Sequence, residues 1–348
     1  MQPLHIDLGL LASAFSRRRQ LLERLSAEGT DCYRLFHGIA EGLPGLAIDR
    51  YGPILLLQTW REPLGEGVVE RVHAELEGAL GAKLLPVWNH RGQRGQMEKQ
   101  RGAPFERFHA PEIPESPIGR ELGLLYDVRP RHRGLDPLLF LDLRSGRRRV
   151  LANVRGKSVL NLFAYTCASG IAAASGGARG VWNVDFSGTA LEVGARNLEL
   201  NALPAATTRF IAEDAIAVSR QLAALPVSAS RGRGMDRRER RFARFEPRSF
   251  DLVILDPPRW SKGDFGAVDV VRDYATLFKP ALMSTAEGGT ILATNHAAEV
   301  ERDSFLRVLE RTARKCGRSL KAVEWILPEE DFPSFDAAPP LKAAWINV

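Results

Sequence analysis

Cysteine is scarce in this sequence: Cys32, Cys167 and Cys316 are the only three in 348 residues. Their spacing fits neither a zinc site nor a disulfide framework, which excludes a stapled secreted scaffold and points to a reducing compartment. Long apolar runs are missing too. The N-terminal candidate, Leu8 to Phe15, falls well short of the roughly 20 residues a spanning helix needs. Arg17, Arg18 and Arg19 follow that stretch rather than precede it, so it is neither membrane helix nor signal peptide. A cytoplasmic chain with no membrane partner and no metal site is the expectation.

What is present supports ordinary globular cores, since 45% of residues are hydrophobic and the length exceeds one typical domain. The basic charge is local. Residues 231–248 hold eight Arg against Asp236, Glu239 and Glu246, and so carry +5 of the formal net charge of +6. A concentrated Arg run suits a phosphate backbone better than a small acidic metabolite, and a solvated insertion without a partner is the bland alternative.

Residues 8–28 read as a helix, with Leu11, Phe15, Leu22 and Leu25 at helical spacing and Gly29 as the stop. Tyr33 to Trp60 reads as short strands punctuated by Gly42-Leu43-Pro44-Gly45 and Tyr51-Gly52, followed by a helix with Val68, Val72, Leu76 and Leu80 on one face. Residues 90–120 read as a linker rich in Arg, Gly and Pro, and Leu122 to Leu141 as a hairpin. From Lys157, short apolar strands alternate with helices: Ser158–Leu162, Gly180–Val184, Arg209–Ala212, Leu252–Leu255 and Thr290–Thr294. Ala322–Ile326 and Leu341–Val348 then follow as two strands with no helix between them. The expected organisation is an N-terminal helix (1–30), a small α+β domain and linker (31–120), and an α/β doubly wound domain (121–348) with a basic insertion at 228–248 and a terminal antiparallel hairpin.

In an open parallel sheet, ligands sit beyond the C-terminal strand ends, so the residues following each strand carry the information. The first strand runs into Asn161-Leu162-Phe163-Ala164-Tyr165-Thr166-Cys167-Ala168-Ser169-Gly170, whose helix N-terminus can face a polar ligand. Phe163, Tyr165 and Cys167 stand where a G-x-G-x-x-G turn needs open backbone, which argues against a dinucleotide-binding dehydrogenase. Asp185 after the second strand can accept from both hydroxyls of a ribose, and Asp214-Ala215 after the third lie where an adenine edge would be. Helix capping is the ordinary use of such acids, and Ser187 is the natural cap beside Asp185 and Phe186. After the fourth strand comes Asp256-Pro257-Pro258-Arg259-Trp260. Two prolines make a rigid turn with two backbone donors removed, aiming the Asp256 carboxylate into the cleft beside a planar ring able to hold a base.

Taken together, these residues resemble the bacterial 23S ribosomal RNA base methyltransferases, a family with a C5-cytosine and an N7-guanine enzyme. The motifs are Tyr33-Arg34-Leu35, Gly42-Leu43-Pro44-Gly45, Asp49-Arg50, Phe140-Leu141-Asp142 with Arg144, and Leu160-Asn161-Leu162-Phe163 with Tyr165-Thr166. Further on come Gly176-Gly177, Val184-Asp185 with Ser187, Arg196-Asn197 with Asn201, and Asp256-Pro257-Pro258. The resemblance runs from about Tyr33 to the C-terminus. It implies a class I methyltransferase fold, S-adenosylmethionine as cofactor, and 23S rRNA or a ribosomal precursor as partner. It implies cofactor contacts from Arg144, Asn161, Phe163, Tyr165, Thr166, Gly170, Asp185, Phe186, Ser187, Asp214, Ala215 and Asp256, with Asp256, Pro257, Pro258 and Trp260 at the reacting base.

The chain departs from the family at Cys167, where a glycine is expected, at its N-terminus, where the cytosine enzymes commonly carry an RNA-binding domain, and at Thr294-Asn295-His296, where the cytosine enzyme has a cysteine. Carbon 5 of cytosine becomes nucleophilic only after a thiolate adds at carbon 6, whereas nitrogen 7 of guanine already has a lone pair. Val271-Arg272-Asp273 and Gly289 to Asn295 also look more like the guanine enzyme. The sequence therefore favours N7-guanine-like chemistry on rRNA, with C5-cytosine methylation as the alternative enzyme and a catalytically silent RNA-binding module as the alternative of another class.

Overall fold

The computed structural model describes residues 3–92, 106–130, 136–227, 243–263, 266–336 and 338–348. Two compact units emerge: Met1–Arg144 with Pro328–Ala338, and Ser145–Leu327 with Pro339–Val348. The expected divisions at 30/31 and 120/121 both fall inside the first unit. Neither could be placed from periodicity, because the first unit takes the N-terminal helix into its core and also includes a segment distant in sequence.

In the first unit, α1 (Leu8–Ala27) starts where the Asp7 carboxylate accepts the Gly9 amide at 2.8 Å. The strands β1 (Cys32–His37), β2 (Leu46–Tyr51), β3 (Ile54–Thr59), β4 (Leu85–His90) and β5 (Glu106–His109) form one sheet in that order. Only β3 and β4 are parallel, which requires the crossover helix α2 (Val68–Leu80) between them. Leu11, Leu21 and Leu25 of α1 share a core with Phe36, Ile48, Leu57, Val72 and Leu76. The stretch read as a linker thus contributes β5 to this sheet. The hairpin expected over Leu122–Leu141 is shorter and earlier: β6 (Ile118–Glu121) and β7 (Leu124–Asp127) turn at Leu122 and Gly123, both with positive φ.

Segment 328–338 is pinned within the first unit by buried arginines. Asp331 accepts the Arg34 amide at 3.0 Å and the Arg144 guanidinium at 2.6 Å, while Arg18 donates to the Asp331 carbonyl at 3.2 Å. Arg18 is also paired with Glu41 through two hydrogen bonds, of 2.6 and 2.9 Å.

The second unit holds α3 (Arg144–Asn153) from Ser145 onward, β8 (Ser158–Leu162), α4 (Ala168–Ser175), β9 (Gly180–Asp185), α5 (Gly188–Leu200), β10 (Thr208–Ala212), α6 (Ala215–Leu222) and β11 (Phe250–Leu255). It continues with β12 (Trp260–Gly263), β13 (Gly266–Asp269), α7 (Tyr274–Met283), β14 (Thr285–Asn295), α8 (Arg302–Lys315), β15 (Ala322–Ile326) and β16 (Lys342–Asn347). Its seven-stranded sheet runs β10-β9-β8-β11-β14-β16-β15. Every residue of β8 is buried, as expected of a central parallel strand covered on both faces. The first five strands are parallel, and β16 is antiparallel to both β14 and β15, giving the terminal hairpin expected from the sequence.

Sequence reading did not anticipate α3, or the small β12–β13 hairpin after the double proline. Of the basic insertion, residues 228–242 lie outside the described residues. Residues 243–248 are held on α6: the Phe245 amide donates to Gln221 at 3.1 Å and the Arg248 amide to the Leu222 carbonyl at 3.0 Å. The final residues of the basic insertion are therefore anchored on the second unit.

Candidate active site

The C-terminal ends of β8, β9, β10, β11 and β14 lie side by side, so the segments that follow them converge at one edge of the sheet. The loop after β8 has an unusual backbone. Phe163, Tyr165 and Cys167 have φ of 59°, 48° and 64°, so three non-glycine residues occupy the left-handed region at alternate positions. Each such residue costs roughly 1–3 kcal/mol, and the surroundings must hold it in place. The Ala164 amide donates to the Val184 carbonyl at 3.0 Å, the Tyr165 amide to Asp185 Oδ2 at 2.9 Å, and Asn197 Nδ2 to the Thr166 carbonyl at 3.2 Å.

Asp185 closes β9 and accepts the Ser187 amide through its other oxygen at 2.9 Å. Burial raises its pKa, and the two backbone amides only partly offset that rise. Its carboxylate can still accept further donors along the exposed edge, where Phe186 presents a ring that is 71% exposed. Ser187 caps α5 as expected. Asp214 caps α6 through Oδ1, which takes the Ile216 and Ala217 amides at 2.8 and 3.2 Å. The capping reading of Asp214 is thus realised, and Ala215 is buried as the first residue of that helix.

Asp256 follows β11, and its amide reaches the Leu162 carbonyl at 3.5 Å. One carboxylate oxygen, Oδ1, is occupied twice: the Thr294 hydroxyl donates to it, and His296 Nε2 lies 2.9 Å away. Among the described residues, Oδ2 takes no hydrogen bond. Burial would raise this pKa, but His296, the Thr294 hydroxyl and the positive charge of Arg147 together hold the carboxyl below the usual range. Beneath it, the buried Tyr274 hydroxyl lacks a hydrogen-bond partner among the described residues. Pro257 is buried and Pro258 exposed, and Trp260 opens the β12–β13 hairpin with 64% of its surface exposed.

Not every expected contact belongs to this edge. Arg144 lies in the first unit, where its guanidinium is spent on Glu329 at 2.8 Å, Asp331 at 2.6 Å and the Cys32 carbonyl at 3.1 Å. Asn161 is buried and donates to Asn183 Oδ1 at 2.9 Å, so it braces β8 against β9. Gly170 supports the same pair by packing, since an added Cβ would sit 1.9 Å from Asn183 Oδ1. Thr166 is buried and Phe163 is partly buried against the core. Cys167, which stands where a glycine is expected, is fully buried with Ala164, Leu191 and Phe210. Sequence reasoning missed Arg147 and Tyr274. Arg147 lies three positions beyond Arg144 in α3, so a helical reading of that segment would have offered it in the place of Arg144.

Among the described residues, no group of His, Cys, Asp and Glu could hold a metal ion, and no helix is long and apolar enough to cross a membrane. The sequence profile of the S-adenosylmethionine-dependent methyltransferase family matches residues 33–225. The chain is 29% identical over 342 residues to the ribosomal RNA large subunit methyltransferase I of Aeromonas salmonicida, covering 97% of this chain and 78% of that one. It is 29% identical over 344 residues to the ribosomal RNA large subunit methyltransferase of Deinococcus radiodurans, with the same 97% and 78% coverage. In structure it is similar to a chain assigned as a methyltransferase and crystallised with SAH, at a TM-score of 0.77 and 22% identity, covering 100% of this chain and 83% of that one.

Proposed function

Because the chain belongs to the S-adenosylmethionine-dependent methyltransferase family, we propose that it methylates a base of large-subunit ribosomal RNA without a cysteine nucleophile, at a ring nitrogen such as N7 of guanine. The observation that carries this reading is the Asp256 carboxylate, favoured in its ionised form, with Oδ1 taken by Thr294 and His296 and Oδ2 without a hydrogen bond among the described residues. When bound, the cofactor supplies an electrophilic methyl group on a sulfonium. The residues fit such a ligand: Asp185 would accept the ribose hydroxyls, Phe186 would offer its exposed ring to the adenine with Asp214 and Ala215 nearby, and the Phe163–Thr166 loop would hold the methionine portion.

Trp260 offers a face on which an extruded base can stack, and the Pro257-Pro258 turn fixes its distance from Asp256. A ring nitrogen attacks with its own lone pair, so alignment is the main requirement. The base then gains positive charge, which a preorganised carboxylate oxygen beside it stabilises. The RNA partner is favoured by the relatives, which are ribosomal RNA methyltransferases by name, and by the Arg run at 231–248. Such a substrate implies a cytoplasmic setting.

A second reading, methylation at carbon 5 of cytosine, is favoured by the relatives named methyltransferase I. The chemistry of the site opposes it. Cys167 is buried, and burial, with the Asp185 charge added, pushes its thiol well above the ordinary range. Cys32 is buried in the first unit and Cys316 follows α8.

The deciding experiment compares rRNA nucleosides from cells with and without the protein by mass spectrometry, then restores the missing mark with purified protein and labelled cofactor. Loss and restoration of N7-methylguanosine is expected. Loss of 5-methylcytidine would replace the nitrogen reading by the carbon one, and no change in any nucleoside would leave only a silent RNA-binding module.

A further inference from the structure

Asn295 ends β14 in the same strand-end set as Thr294 and His296, and it is fully buried. Both halves of its amide are used. Nδ2 donates to the Val270 carbonyl at 2.9 Å, and Oδ1 accepts the Ala297 amide at 2.9 Å. Val270 closes the stem of the β12–β13 hairpin, where its own amide reaches the Arg259 carbonyl at 3.3 Å, one residue before Trp260. On the other side, Lys342 stands opposite Asn295 in the β14–β16 register and donates its ammonium to the Ala297 carbonyl. His296 is thus flanked by two residues that are each fixed, and its Nε2 meets Asp256 at 2.9 Å.

We propose that Asn295, backed by Lys342, is a positioning residue that holds His296 and the hairpin of Trp260 in one frame; the inference rests on the methyl-transfer reading of the site. An amide suits the place because one neighbour is a carbonyl and the other an N–H. A carboxylate has no donor for Val270, and a thiol is too short to serve both. Lys342 is buried at a cost, since burial pulls its pKa down to about 8 against the opposing charge of Glu299. That cost is offset where the ammonium fixes a functional loop. In this frame the relationship between the stacking face of Trp260 and the carboxylate of Asp256 does not depend on substrate to form.

The charged and titratable groups around Asp256 are His296 from the end of β14, Arg147 from α3 and the Tyr274 hydroxyl from α7. Only His296 depends on the brace. Freeing it removes the main lowering influence on Asp256, and the carboxyl returns toward the ordinary carboxylate value.

The test uses the full chain with labelled aspartate carboxyls, Asp256 being assigned by loss of its signal in Asp256→Asn. Its titration is followed in wild type, Asn295→Ala, Lys342→Met and Lys342→Arg, with cofactor affinity measured by calorimetry. Asn295→Ala and Lys342→Met are expected to raise the Asp256 midpoint by about half a pH unit or more. They should lower kcat about tenfold with cofactor affinity within about twofold, and Lys342→Arg, which keeps a donor, should restore both. An unmoved midpoint in folded Lys342→Met overturns the proposal, even if Asn295→Ala fails to fold. If wild type transfers no methyl to RNA, the parent reading fails while the titration still decides the brace.

Discussion

Asp256 and His296, on neighbouring strand ends, share a contact of 2.9 Å between Oδ1 and Nε2, while Oδ2 of the carboxylate takes no hydrogen bond among the described residues. Asp256→Asn keeps the size of the side chain and removes its charge. Removing a preorganised electrostatic group typically costs about 10²–10³ in kcat. Methyl transfer should fall by that factor in single-turnover assays while cofactor affinity stays within about threefold. Transfer at the wild-type rate would remove Asp256 from the chemistry.

Asp185 and Asp256 are pushed in opposite directions, the first above and the second below the ordinary carboxylate range. For Asp256, stability is present above the unfolded pKa and is lost as pH falls through the depressed folded value. Asp185, with its pKa raised, is less favourably ionised in the fold and protonates first on acidification. Cofactor affinity should therefore decline at a higher pH than the one at which Asp256 titrates. Calorimetry across pH 4–7 checks this, and Asp185→Asn should flatten the dependence while weakening binding; losing a charge-assisted hydrogen bond costs roughly 1.5–3 kcal/mol.

Replacing Cys32, Cys167 and Cys316 together with serine or alanine should leave methyl transfer within roughly tenfold, because an essential nucleophile would cost several orders of magnitude. A folded, cofactor-binding but inactive triple variant would sink the thiol-free mechanism. So would a covalent adduct of Cys167 with fluorocytosine RNA.

Gly170→Ala should be unusually damaging for so small a change, since the new Cβ would meet Asn183 Oδ1 at 1.9 Å. Overpacking of this kind typically costs about 1–3 kcal/mol. Asn183→Ala in the same chain should recover part of the loss by opening the space. Additive melting-temperature changes in the double variant would show that the clash is not what limits position 170.

Asp331→Ala should destabilise the first unit by about 3–5 kcal/mol, because Arg144 and the Arg34 amide would keep their burial and lose a partner. Denaturant unfolding measures this directly, and a loss under about 1 kcal/mol would mean that Glu329 and the neighbouring carbonyls suffice.

Sequence pattern located the second unit well because parallel strands buried on both faces read as short apolar runs, and Ser158–Leu162 and Ala322–Ile326 appear with the bounds expected. The acidic strand ends were legible for the same reason: each stands directly after such a run. What the sequence could not disclose was direction. Arg144 and Arg147 lie on one helix with one chemistry, and only the fold separates the arginine spent on Glu329 and Asp331 from the one whose charge reaches Asp256. Asn161 and Gly170 both meet Asn183 in the fold, a role the sequence could not show because a polar or small residue after a strand looks the same whether it meets a ligand or a neighbouring side chain. The β12–β13 hairpin was hidden by its length, four residues to a strand.

The acidic segment held by Arg18, Arg34 and Arg144 has a consequence for biosynthesis. A ribosome delivers those three arginines long before it delivers Glu329 and Asp331; Arg18 can pair with Glu41 and Arg34 with Asp49 early, but the Arg144 guanidinium must wait for Glu329 and Asp331. The first unit is therefore completed only after most of the chain has been made, unlike an N-terminal domain that closes on its own. Residues 328–338, between β15 and β16, must emerge before the first unit is complete, which makes a nearly full-length polypeptide the quantity that a chaperone or protease encounters.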